Sequence, residues 1–186
     1  MSRYKYEELC QMKEKELEEI FRQGKTPEFK NLVGWEFRGY NVPYITEILG
    51  FRKFKKGFFT LPDQSPEGPE IMGYNVLVLQ NGLYGKWIAL PDENYPKRYG
   101  FYLVYKVRPE EPDNKYLNAL LLNYGKAKNG LHPARFLRDY LVQPDPDNPD
   151  LYLGKAYFAF GPLRVFPSFF VLERYNQAVG EINYKP

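Results

Sequence analysis

The chain has 186 residues, with 26 Lys and Arg against 23 Asp and Glu, and a formal charge of +3 that by itself argues for no polyanionic partner. Aromatic residues make up 18% of it, a supply of large rings that excludes an intrinsically disordered chain and supports a sizeable core. One cysteine excludes a disulfide scaffold, and one histidine excludes a multi-histidine metal site.

The opening MSRYKYEELC carries acids where a signal peptide needs an apolar run. No stretch approaches the roughly 20 apolar residues that span a bilayer. The expectation is a reduced, soluble, cytoplasmic protein without a transmembrane segment. Residues 4–23 read as one amphipathic helix, with Leu9, Met12, Leu17, Ile20 and Phe21 near one stripe and charges on the rest. Gly24 supplies a stop, and Thr26-Pro27-Glu28 starts a short second turn. Residues 1–30 are therefore expected to form a helical arm docked outside a single domain, residues 31–186.

After Val33 the texture changes to short apolar or alternating runs broken by Gly, Pro and Asn. Candidate strands are 35–42, 54–60, 71–80, 86–90, 101–108, 118–124, 136–142, 151–160 and 168–175. Pro43 to Gly50 reads as a short helix, and Asn81-Gly82 is the strongest hairpin signal in the chain. Turn formers fill 109–114 and 144–150. Several runs, such as Phe101-Tyr102-Leu103-Val104-Tyr105, are apolar on both faces. Such a sheet has to be packed inside and covered outside. The fold class that follows is mainly β: an antiparallel barrel with the N-terminal helix against its wall.

Charges inside these runs are the candidates for function. In a strand through Phe136–Val142, Leu137, Asp139 and Leu141 share one face while Phe136, Arg138 and Tyr140 share the other. Each charge then needs a partner, either in a structural ion pair or in a polar anchor within a ligand cavity. Lys155 shares a face with Leu151, Leu153 and Tyr157, and either meets a ligand or extends its ammonium to solvent. Asn75 and Asn123 either satisfy a turn or bulge or aim at a polar ligand group.

Other motifs carry less. The acidic run 145–150 lacks the central glycine and distant glutamate of a calcium loop and reads as a solvated turn. Arg52-Lys53-Phe54-Lys55-Lys56 mixes cations with rings as a single-strand binder does, yet a strand with one solvated basic face explains it equally well. His132 reads as structural and Cys10 as packing. There is no phosphate-binding glycine loop and no G-x-S-x-G elbow, and neither a cofactor nor a metal is expected.

Taken in order, Gly34-Trp35-Glu36-Phe37-Arg38-Gly39, Gly50-Phe51-Arg52-Lys53-Phe54, Leu122-Asn123-Tyr124, Leu137-Arg138-Asp139, Leu153-Gly154 and Phe169–Arg174 resemble the bacterial lipocalin-like (calycin-type) barrel proteins of the GXWXG group. The resemblance spans most of residues 30–175. Phe37 stands near the motif's central tryptophan, and Asn123-Tyr124-Gly125 replaces a Tyr-Asp pair. The resemblance implies a barrel that holds a lipid or another apolar small molecule.

The functional expectation is a protein that binds a hydrophobic or amphipathic, lipid-like and even anionic molecule in an aromatic-lined cavity. Arg138, Lys155 and Lys53 would meet an anionic head group. Asp139, Asn75 and Asn123 would fix its orientation, and Tyr124 and Tyr157 would line the cavity. Two alternatives stay open. One is an isomerase or cyclase with Asp139 as acid or base; the other is a non-catalytic interaction module using the arm. Nucleic-acid binding is not expected.

Overall fold

The β-branched and aromatic runs after Val33 become eight strands: β1 (Trp35–Asn41), β2 (Lys53–Phe59), β3 (Glu70–Val76), β4 (Arg98–Lys106), β5 (Leu120–Asn123), β6 (Leu137–Val142), β7 (Leu151–Phe160) and β8 (Leu163–Gln177). The structure is a computed structural model that describes residues 3–42 and 52–184; the helix expected over 43–50 lies outside the described residues. Each strand pairs antiparallel with the next, and β8 pairs back onto β1, so the sheet closes and leaves no edge. This is the topology of an up-and-down eight-stranded antiparallel barrel.

Two departures concern the middle of the chain. Residues 86–90 do not form a strand but only a single bridge between Val78 and Ala89. Asn81-Gly82 accordingly turns an irregular loop rather than a two-residue hairpin, with Gly85 N–H bonded to Gly82 C=O. Asn81 itself is committed to tertiary contacts, its side chain holding the Lys53 ammonium and the Lys86 carbonyl.

The arm is also not one helix. It divides into α1 (Tyr6–Leu9) and α2 (Glu14–Gln23), with Lys13 extended between them and its N–H capped by Glu16. The break lets the arm follow the curved wall. Tyr6 packs edge-on to Trp87, while Phe21 reaches Tyr116 and Phe169. Asn118 satisfies the carbonyls at the end of α2, donating to Phe21 C=O and Gly24 C=O. No helix among the described residues is long and apolar enough to cross a membrane.

Two apolar clusters therefore lie on the two faces of one sheet. The outer cluster, with Leu17, Phe21, Tyr74, Trp87, Tyr140 and Val171, is covered by the arm and the 77–97 loop. The inner cluster, with Phe37, Phe58, Tyr102, Leu122, Leu141 and Tyr152, fills one end of the barrel, and Phe29 and Leu32 pack against it there. The opposite end is hollow.

Candidate functional site: a half-filled barrel with a buried polar floor

The hollow end is a cavity of about 700 Å³, within the ~300–1,000 Å³ range of small-molecule sites. Its walls are mainly apolar: Phe54 from β2, Leu137 from β6, Ala156 and Phe158 from β7 and Phe170 from β8, with Leu77 from beyond β3. His132 and Phe166 also line it. Gly154 shapes the wall, because a Cβ there would sit 2.0 Å from the Phe170 ring. Only glycine lets that ring lie flat across its strand partner.

Where the hollow half meets the filled half, four polar side chains converge from four parts of the chain. Lys56 projects inward from β2, sharing parity with Phe54 and Phe58; Asn75 comes from β3, Asp139 from β6 and Tyr124 from the turn after β5. Lys56 Nζ donates to Asp139 Oδ2 at 2.9 Å, to Asn75 Oδ1 at 3.0 Å and to the Tyr124 hydroxyl. That hydroxyl donates in turn to Asp139 Oδ2 at 3.0 Å. Asn75 Nδ2 donates to Gly100 C=O at 3.1 Å and to Tyr124 Oη at 3.2 Å. A register shift in the β3–β4 ladder makes this possible: Gly100, at φ +54°, sits in the bulge and meets Asn75 through its carbonyl.

Lys56 and Asp139 are only 2% and 3% exposed, so each charge depends on the other. Four rings surround the ammonium, with centroids at 4.7 Å (Tyr102), 5.1 Å (Tyr124), 5.3 Å (Phe170) and 5.5 Å (Phe54). Burial pulls the Lys56 ammonium below its ordinary pKa of 10.5, and the Asp139 charge and hydrogen bond oppose that pull. Burial and the Asp139 charge hold the Tyr124 hydroxyl far above its ordinary range, so it stays a neutral donor.

Of the eight residues expected at a site, three meet here: Asn75, Tyr124 and Asp139 line the cavity. Four others point out of the barrel. Arg138 binds Asp113 at 3.2 Å. Lys155 is drawn to Glu18 of α2 and donates to the Tyr116 hydroxyl at 2.8 Å. Tyr157 shares a hydrogen bond of 2.9 Å with Tyr116. Asn123 donates to Tyr105 at 3.0 Å and accepts from Gly125 N–H. Lys53 borders the cavity, but its ammonium is spent on the 81–86 loop and lies 3.8 Å from the Trp87 ring centroid. The cations expected to greet an anionic head group are thus engaged elsewhere. The reason is parity: both faces of each strand are apolar, so hydrophobic pattern does not tell inside from outside.

The cation on the cavity floor, Lys56, belongs to the run read as a basic face, while Lys97, exposed, also lines the cavity. Lys53, Lys55 and Lys56 are all buried, so no solvated basic face forms there. The signal that marks Lys56 is its place between Phe54 and Phe58 on alternate positions, which puts a lysine in an aromatic row. Among the described residues no group of three or more His, Cys, Asp or Glu side chains is placed to hold a metal ion. Compared with protein-family models, curated proteins and solved structures, the chain matches none of them.

Proposed function

We propose that this barrel is a binding protein for a small amphipathic molecule. The apolar part would lie between Phe54, Leu137, Ala156, Phe158 and Phe170, and the polar end would reach the floor formed by Lys56, Asp139, Tyr124 and Asn75. The observation that carries the reading is an apolar-walled cavity of about 700 Å³ ending on a buried, ion-paired polar cluster. A chain selected only to fold gains nothing from a buried ion pair, because apolar residues of similar volume are often as stable or more so. It gains nothing either from leaving half the barrel hollow, where packing contacts are forgone. Kinship with lipocalin-like barrel proteins belongs to the same reading.

The test is binding of a neutral solvatochromic dye, Nile red, by the wild-type chain and by Ala156→Trp, which places an indole in the cavity. Saturable binding by the wild type, reduced at least tenfold in a folded Ala156→Trp variant, is the expected result. Equal dye binding by both would place the dye outside the barrel and overturn the reading.

A further inference from the structure

The cluster on the cavity floor has no donor left to give. Lysine carries three N–H donors, an amide two and a phenol one. Those of Lys56 go to Asp139, Asn75 and Tyr124; those of Asn75 go to Gly100 and Tyr124; that of Tyr124 goes to Asp139. What remains is an acceptor. Asp139 Oδ1 is buried and receives no hydrogen bond, and of the unpartnered buried side-chain atoms among the described residues it alone belongs to a residue lining this cavity. Its sister oxygen, Oδ2, takes both bonds that hold the carboxylate in place.

Charge points the same way. Lys56 and Asp139 cancel, so the floor itself offers an incoming anion no net attraction. Of the other two lysines on the lining, Lys53 has its ammonium held by the 81–86 loop and Lys97 is exposed to solvent. A carboxylate or phosphate would have to pull Tyr124 or Asn75 away from the ammonium and lie against the Asp139 charge. A neutral hydroxyl brings no charge to the floor and takes none of the hydrogen bonds already made there, and O–H···O⁻ is among the stronger hydrogen bonds available in a site sheltered from water. We infer, on the reading of this cavity as a binding site, that its ligand presents a neutral hydrogen-bond donor, an alcohol or amide group, to Asp139 Oδ1. The class is thus a long-chain or polycyclic alcohol or amide, not a fatty acid or phospholipid.

The test is displacement of Nile red from the wild-type protein at neutral pH by decan-1-ol, decyl methyl ether and decanoate. These share an alkyl chain and differ in the donor and the charge. Decan-1-ol is expected to compete at least about tenfold more tightly than either of the others. In Lys56→Met/Asp139→Leu, where the floor is apolar, the margin of alcohol over ether should shrink to about twofold or less. Decanoate equal to or tighter than decan-1-ol would overturn the inference while leaving the binding reading intact. An ether as tight as the alcohol would also overturn it, since donation would then count for nothing. Absence of saturable Nile red binding would instead remove the binding reading itself. The wild-type comparison stands without the variant, so the inference stays falsifiable if the double substitution does not fold.

Discussion

Lys55 and Lys56 are neighbours on β2, both buried, and they point to opposite sides of the barrel wall. Lys55 faces out, 3.1 Å from Glu93 and 3.7 Å from Glu36. Both oxygens of Glu36 are met by the chain, Oε1 by the Tyr74 hydroxyl and Oε2 by Asn176, each at 3.0 Å. Lys56 faces in and pairs with a carboxylate of which only one oxygen is met. The first network ties the 77–97 loop to the wall through Glu93, and its Glu36 carboxylate is saturated by Tyr74 and by Asn176 of β8. The second ties β2 to β6 across the barrel and anchors Tyr124 of the turn after β5, leaves one carboxylate oxygen unmet, and borders the cavity. Two lysines with the same burial thus divide into a structural role and a proposed binding role, and what separates them is the state of the partner carboxylate.

The largest expected effect breaks the inner pair alone. Lys56→Met should cost about 3–5 kcal/mol of unfolding free energy by leaving Asp139 charged and unpaired, and Lys56→Met/Asp139→Leu should recover most of it. Urea unfolding of both variants checks this; a double variant no better than the single one would show that the pair is held for stability. Lys55→Met should cost less, roughly 1–3 kcal/mol, because Glu36 keeps Tyr74 and Asn176. A cost equal to that of Lys56→Met would erase the distinction between the two networks.

Gly154→Ala probes the wall between them. The new methyl group meets the Phe170 ring, which also lines the cavity. A loss of about 1–3 kcal/mol is expected, together with weaker Nile red binding. Unchanged binding in a destabilised variant would show that Phe170 does not bound the ligand space.

The smallest effect is on pH dependence. Burial lowers the Lys56 pKa, so between that lowered value and 10.5 the folded state binds fewer protons than the unfolded one. Wild type should therefore gain stability relative to Lys56→Met/Asp139→Leu as pH rises toward 10.5. Lys155 on the outer face has the opposite sign. Burial opposes its charge, but hydrogen bonds to Glu18, Tyr116 and Tyr157 raise its pKa overall, so its contribution is present below 10.5 and lost as pH climbs through the raised value. Relative to Lys155→Met, wild type should lose stability above pH 10.5. Matched pH slopes for the two comparisons would contradict this division.

Much of the architecture was legible in the chain, and the reason is periodicity. Most strand runs were visible to within a few residues, and their two apolar faces required cover outside as well as packing inside, which the arm and the 77–97 loop supply. The site was legible only in part. Asp139 and Asn75 stood out as polar residues in apolar runs, and both lie in the cavity. Arg138, Lys155 and Asn123 stood out for the same reason and face the other way, because alternation fixes which residues share a face but not which face is inside. Lys56 was hidden by its company in a basic run, and its meaning comes from a partner 83 residues away. No local pattern encodes that pairing.

The central claim is that the inner cluster borders a space for a ligand, and native mass spectrometry of the purified wild-type and Ala156→Trp proteins tests it most directly. The prediction is a discrete non-covalent adduct on the wild type, extractable as a neutral alcohol or amide and absent from a folded Ala156→Trp variant. The same adduct at equal occupancy on both proteins, or a bare wild type that also takes up no added decan-1-ol, would contradict it.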